Sequence, residues 1–262
     1  MPRSRIPLVT TLLVLAFFYL PIGLLVLNSF NASRFGIGWQ GFSTRWYARL
    51  LERDDLLAAL RNSLIVAGVA SVGSMVLGTA GAFALHLFRT RLQENHRLLV
   101  TVPLVLPEVL MGMSLLTLFV AVGKSLDLVT IAIAHVTFCL SYVALVVQAR
   151  LQDFDFHIVE AARDLGATRL QAFVRVTLPL LAPGILAGGL LAFTLSIDDY
   201  VITFFVKGPG SDTLPTIVYS MIKKSRELPV INALSTLMLA VTFVVVACAQ
   251  RLTRPAHGGG RA

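Results

Sequence analysis

Six runs of twenty or more largely apolar residues divide this chain, at about 6–30, 62–88, 98–122, 128–148, 180–206 and 231–250. No other feature narrows its folding so far. Bilayer hydrocarbon is about 30 Å thick, and a helix needs about 20 residues to cross it. Backbone in lipid must also satisfy its own hydrogen bonds, so runs of this length predict helices. Of the 262 residues, 56% are hydrophobic and 14% are charged, against about 25% charged in an ordinary soluble domain. That balance excludes a water-soluble enzyme, a disordered chain and a disulfide scaffold. The expected fold class is an all-α membrane protein with six transmembrane helices, forming a single domain over residues 1–262.

The first run follows Arg3 and Arg5 and resembles a signal peptide. Its apolar stretch is too long for one and no A-x-A site follows, so it reads as an uncleaved anchor. The formal net charge of +8 would raise nucleic acid as a partner of a soluble chain. Here the basic residues fall between the apolar runs, where they read as topology signals and contacts with membrane lipid, and no nucleic acid is expected. Six spans place both termini on one side, and Lys and Arg divide twelve to ten in favour of that side. The short loop 89–97 and the tail lean toward termini inside, but so even a division leaves orientation open. Cys139 and Cys248 both lie inside apolar runs, which suggests neither a disulfide framework nor a metal site.

The loop at 149–179 is amphipathic. Asp155 can cap a helix whose apolar positions Ile158, Ala161, Ala162 and Leu165 recur at helical spacing. Gly166 suits the left-handed position that ends such a helix. Thr168 and Gln171 then form a capping box for a second short helix carrying Leu170, Phe173 and Val174, which Pro179 separates from the fifth span. A helix–Gly–helix elbow at the membrane surface reads as a docking element. Small residues recur every four positions at Ala70, Ser74, Gly78 and Ala82, and again at Gly184, Gly188 and Ala192. Such stripes bring helices close together in lipid, within the chain or against a partner subunit.

Gly123-Lys124-Ser125 imitates the end of a phosphate-binding loop, but the glycine required five residues earlier is Leu118. No catalytic arrangement and no cofactor-binding motif is visible. The ionisable residues inside the spans are Glu108, Asp198 and Asp199, with no Lys or Arg in any span core. A charge at the bilayer centre costs about 2.5–3.5 kcal/mol on the translocon scale, so these carboxylates call for water, a proton, a cation or a donor from another chain. A basic chain whose intramembrane charges are all acidic suggests a pathway for a cationic solute.

Pro103 and Pro107 break the helix beside Glu108, and backbone freed in this way is tolerated where it lines a cavity. Thr194 and Ser196 add hydroxyls before the aspartates. The alternatives are a kink-associated carboxylate near the surface for Glu108 and a helix-end acidic pair for Asp198 and Asp199. His86 and His135 read as neutral histidines bonded to backbone or to a helix end, with a proton relay as the other reading. Trp39, Trp46 and Tyr47 read as interfacial aromatics, and Trp46 alternatively as a surface for a cation.

Glu160-Ala161-Ala162, Gly166, Val176 and Leu178-Pro179 stand at the spacing EAA-x3-G-x9-I-x-L-P, with Val in place of the usual Ile. This signature resembles that of permease subunits of binding-protein-dependent ABC importers. The segments 103–108, 193–199, 208–215, 217–220 and 232–236 resemble the second permease of spermidine/putrescine importers. The resemblance implies that 149–179 is a cytoplasmic coupling helix docking on an ATPase subunit through Glu160, Ala161, Ala162, Gly166, Leu178 and Pro179. It places both termini in the cytoplasm, in a bacterial inner membrane. It further implies that Trp46, Glu108, Ser196, Asp198 and Asp199 serve polyamine recognition or passage. A homologous second permease, an ATPase dimer and a periplasmic polyamine-binding protein would be partners, with ATP and Mg bound by the ATPase and no cofactor in this chain. Two rivals remain at this level. One is an ion-coupled secondary transporter, for which inverted repeats are expected and none is visible. The other is an ABC permease for a different small solute.

Overall fold

A backbone with no water to bond must close its bonds within each segment, and helix does so over most of the described apolar residues. The computed structural model describes residues 6–34, 38–87, 91–224 and 228–253. Along them run α1 (Ile6–Ser29), α2 (Arg45–Leu51), α3 (Asp54–Leu87), α4 (Gln93–Val105), α5 (Glu108–Ala121) and α6 (Leu128–Gln152). Then follow α7 (His157–Asp164), α8 (Arg169–Ala172), α9 (Leu178–Ile197), α10 (Val201–Val206), α11 (Leu214–Lys224) and α12 (Leu228–Thr253). Four helical stretches among the described residues are long and apolar enough to cross a bilayer: Pro7–Ser29, Asp54–Leu87, Leu128–Gln152 and Arg169–Ile197. Helices α4 and α5 would make a fifth together, bent by 112° where they meet, and α12 carries a shorter apolar part, Leu228–Val244. Arg3, Arg5, Arg89, Arg226 and the tail at 258–262 lie outside the described residues.

The all-helical architecture follows the sequence, but two of the expected spans are broken within, and α3 begins at Asp54, eight residues before the expected 62. The stretch 98–122 is not one rod. Leu106 is extended (φ −67°, ψ 134°), as the residue before a proline prefers, and Pro107 is extended too (φ −57°, ψ 133°). Pro107 therefore makes the break, whereas Pro103 sits inside α4 without ending it. The stretch 180–206 is interrupted as well: α9 stops at Ile197, and three residues separate it from α10. At its other end, Pro179 does not separate the elbow from the span. Helix α8, a π-turn at Phe173–Thr177 and α9 continue as one helical stretch from Arg169. A proline ring crowds the carbonyl four residues back. The wider turn just ahead of it, where the Leu178 N–H donates to Phe173 O five residues back, carries the helix through.

The chain forms two compact units. The first comprises Met1–Ala58 with Ile217–Phe243. Its loop after α1 folds around Asn31, whose side chain donates to Gly38 O at 2.7 Å and accepts from the N–H groups of Ser33 and Gln40, both at 3.0 Å. The second unit comprises Ala59–Thr216 with Val244–Ala262, and its core is built on α6. Ile131, Ala134, Cys139, Val143, Ala144 and Val147 of this helix are fully buried.

Lipid tails are as apolar as leucine, so association here depends on close packing of small residues. The α3 stripe meets α6: a Cβ on Gly78 would stand 2.7 Å from Leu140 O, and the Ser74 hydroxyl donates to Val136 O at 3.3 Å. The α9 stripe meets α6 too, where a Cβ on Gly188 would be 3.1 Å from Val143, the residue that Gly78 also approaches. Both stripes seen in the sequence thus pack within the chain.

Candidate functional site

The break between α9 and α10 concentrates the polar groups of the second unit. Asp198 caps the C-terminus of α9 and is exposed. Asp199, its neighbour, has a side chain only 5% exposed. Desolvating a carboxylate is tolerable only when its oxygens are bonded, and those of Asp199 are. One oxygen accepts the Ile202 N–H at 3.3 Å, and the other accepts the Thr203 N–H at 2.8 Å and the Thr203 hydroxyl at 2.9 Å. The second oxygen also lies 3.2 Å from His135 Nε2.

His135 itself is buried at 1% exposure on α6. Its Nδ1 lies 2.7 Å from the Ser196 hydroxyl and its Nε2 lies 2.9 Å from the Thr203 hydroxyl. With the proton on Nε2, that nitrogen donates toward Asp199 and Thr203 while Nδ1 accepts from Ser196, leaving no ring nitrogen unsatisfied. Carboxylate, imidazole and hydroxyl are thus in line, but the hydroxyl is buried and already committed to the ring. This is a clasp between helices and not a nucleophile.

Glu108 opens α5 at the second break and is exposed. Its carboxylate is within electrostatic reach of Tyr142, as Asp199 is of Cys139. Tyr142 and Cys139 share a face of α6 with His135, so one helix stripe passes both acidic breaks. Helix α5 packs on α10 through Gly112, where a Cβ would stand 2.7 Å from the Phe205 ring.

The five residues expected to handle cargo therefore divide. Glu108 and Asp198 are exposed at breaks, whereas Ser196 and Asp199 are buried in the clasp. Trp46 belongs to the first unit, where it is 3% exposed and its Nε1 donates to Asn31 O at 2.7 Å. The cation above its ring is the chain's own Arg45, 4.3 Å from the centroid. The sequence did not reveal Thr203; it read His135 as bonded to backbone or to a helix end, and the partners are side chains at the end of α9 and the start of α10. No local pattern links His135 to residues more than sixty positions away.

The elbow forms much as its local signals require. The His157 N–H donates to Asp155 at 2.9 Å at the start of α7. Gly166 takes φ +94°, and the Ala167 N–H returns to Ala162 O at 3.1 Å. The Thr168 hydroxyl accepts from the Gln171 N–H at 3.3 Å and the Gln171 side chain from the Thr168 N–H at 2.9 Å. Glu160 is exposed beside His157, with 3.2 Å between carboxylate and ring. Together with Arg163, Asp164, Ala167, Thr168 and Arg169 it lines a polar cleft of about 580 Å³. Ala161, Leu178 and Pro179 are exposed and Ala162 is half-buried. Leu165 is 90% and Leu170 is 72% exposed, an unusual state for leucines flanking a tight turn.

Nothing among the described residues groups three or more His, Cys, Asp or Glu side chains in a way that could hold a metal. The arrangement offers two exposed carboxylates at helix breaks, a buried clasp and an apolar-tipped elbow. These are parts for binding and movement rather than for bond-breaking.

Residues 74–256 match the family described as binding-protein-dependent transport system inner membrane component. The chain is 45% identical over 250 residues to the putrescine transport system permease protein PotI of Escherichia coli (strain K12), covering 93% of this chain and 89% of that protein. It is 40% identical over 241 residues to the spermidine/putrescine transport system permease protein PotC of the same strain, covering 92% and 91%. Among solved structures, a chain of a bacterial ABC transporter involved in import of the acidic polysaccharide alginate superposes with TM-score 0.74 over 98% of both chains, at 15% identity. A chain of the inward-facing MetNI methionine ABC transporter gives 0.66 over 76% of this chain and 94% of that one, at 19% identity. At these identities the structural likeness speaks for the fold alone.

Proposed function

This chain belongs to the family of binding-protein-dependent transport system inner membrane components, and from that membership we propose that its cargo is a polyamine, putrescine or spermidine. It is a multi-pass membrane permease subunit of an ABC importer, a transport component rather than an enzyme. The observation that carries the cargo reading is the pair of exposed carboxylates, Glu108 and Asp198, each at the end of a helix in an otherwise apolar stretch.

An ammonium group crossing lipid needs counter-charge, and each carboxylate supplies it transiently. Two such groups favour release where a dense cluster would trap a polycation. Ser196 and Asp199 support this surface from the buried side. Trp46, already paired with Arg45, serves the loop structure of the first unit.

The remaining parts follow from the same premise. Helix α12 supplies a sixth span, with both termini in the cytoplasm. The elbow docks on the ATPase subunit through Glu160, Ala161, Ala162 and Gly166, with Leu178 and Pro179 at the joint with the span. ATP and Mg are bound by that ATPase, and this chain binds no cofactor of its own. A homologous second permease completes the pathway, and a periplasmic binding protein delivers the cargo.

The test is uptake of labelled putrescine and spermidine by cells lacking their own polyamine uptake and expressing the complete system at matched membrane levels. Wild-type uptake should be saturable and ATPase-dependent. It should fall by about ten-fold or more with Asp198→Asn, the loss expected on removing a charge-assisted contact. Absence of polyamine uptake by an assembled wild-type complex would sink the cargo reading.

A further inference from the structure

We propose that His135 is a positioning residue for transport, which divides the labour of the two adjacent aspartates: by clasping Ser196, Asp199 and Thr203 it fixes the α9–α10 break so that Asp198 alone is presented to cargo. This rests on the reading of Asp198 as a cargo-facing carboxylate.

The geometry carries the assignment. The three partners of the ring sit on either side of the interruption: Ser196 in the last turn of α9, Asp199 within the break, and Thr203 in α10. One imidazole on α6 therefore reaches across the gap with both ring nitrogens, at 2.7 Å to Ser196, 2.9 Å to Thr203 and 3.2 Å to Asp199. Neither a glycine nor a proline occupies 197–200. Asp199 starts α10 by accepting the Ile202 and Thr203 N–H groups, and the His135 bonds brace that cap from α6.

Asp199 receives the Ile202 and Thr203 N–H groups, the Thr203 hydroxyl and the His135 ring, and its side chain is 5% exposed. Its Oδ2 is fully engaged by three donors, and burial shields Oδ1, which already holds the Ile202 N–H, from an incoming ammonium ion. Its neighbour Asp198 is exposed. Pinning one side chain on the buried side of a short non-helical segment sets where the next one points. Without the ring, the buried Oδ2 of Asp199 would lose one of its three donors and Ser196 its partner. The brace across the break would be gone, and the segment would be free to shift toward water. Asp198 would then lose its fixed place.

Chemistry restricts what can replace His135. A glutamine keeps an N–H donor near the position of Nε2, whereas a leucine of similar bulk offers none. Two measurements on the complete complex separate positioning from fold damage and from an error in the cargo.

The first, in proteoliposomes, compares polyamine uptake with ATP hydrolysis stimulated by the loaded binding protein. His135→Leu should lower uptake by about ten-fold while stimulated hydrolysis stays within about two-fold of wild type, and His135→Gln should restore most of the uptake. In an Asp198→Asn background, His135→Leu should add no further loss. Equal loss of uptake and hydrolysis in both His135 variants, or additive losses with Asp198→Asn, would overturn the proposal.

The second measurement needs no cargo. With Cys139 and Cys248 replaced by alanine, Asp198→Cys is labelled by a cationic thiol reagent. Adding His135→Leu should change the labelling rate by about five-fold or more, and adding His135→Gln should leave it nearly unchanged. An unaltered rate in the leucine variant would refute the positioning role even if the cargo is a polyamine. A rate that changes as expected in a complex that takes up no polyamine would place the error in the cargo alone.

Discussion

A carboxylate removed from water needs donors, and the two aspartates at 198 and 199 meet that need in opposite ways. Asp199 collects its donors from the chain, whereas Asp198 stays exposed. Thr203 contributes both its N–H and its hydroxyl to Asp199, so Thr203→Val should keep the shape and lose one donor to a buried charge. Thermal unfolding of the purified subunit should show a loss of about 1–3 kcal/mol, and an unchanged midpoint would count against the clasp.

At the start of α6, Asp127 accepts the N–H groups of Val129 and Thr130, and the Lys124 ammonium sits 2.8 Å from it. That ammonium, with the Thr130 N–H, holds the Asp127 carboxyl below the usual carboxylate range. Because the folded value is the depressed one, the stabilisation is present above the unfolded value and is lost as pH falls through the folded one. Acidification between about pH 5 and pH 3 should therefore cost wild type more thermal stability than Asp127→Asn, which caps in either condition.

At the scale of elements, the elbow was legible because its instructions are local. Asp155, Gly166, Thr168 and Gln171 each act within four residues of themselves, and each hydrogen bond or backbone angle appears where the sequence places it. Pro107 was legible for the same reason. The interruption after Ile197 was legible only in part: a helix-end acidic pair was one reading of Asp198 and Asp199, and Asp199 does cap α10, but the bracing by His135 comes from another helix. The run through Pro179 was also hidden, because a π-turn leaves no simple pattern in the sequence. Gly166 gives the clearest prediction here. At φ +94° a β-branched residue is strained by about 1–2 kcal/mol, so Gly166→Val should distort the elbow without disturbing the spans. Co-purification of the ATPase subunit should fall by about ten-fold at an unchanged membrane level, and undiminished co-purification would remove the docking role.

At the scale of the whole molecule, hydropathy revealed the multi-span membrane class, whereas the even spread of Lys and Arg left the direction of insertion open. The proposed topology has both termini inside. A reporter fused after Ala262 should accordingly be active only in its cytoplasmic form, and a periplasmic signal would invert the proposed topology.

The continuous stretch Arg169–Ile197 has 29 residues and, at 1.5 Å each, is about 43 Å long. It is a lever, with the exposed Leu165 and Leu170 near its handle and Asp198 at its tip. The imidazole tie makes α6 and α10 travel with that tip. Were the docked ATPase to swing the handle by about 5°, the tip would move by about 4 Å, more than the length of a hydrogen bond and enough to bring Asp198 within reach of an ammonium or withdraw it.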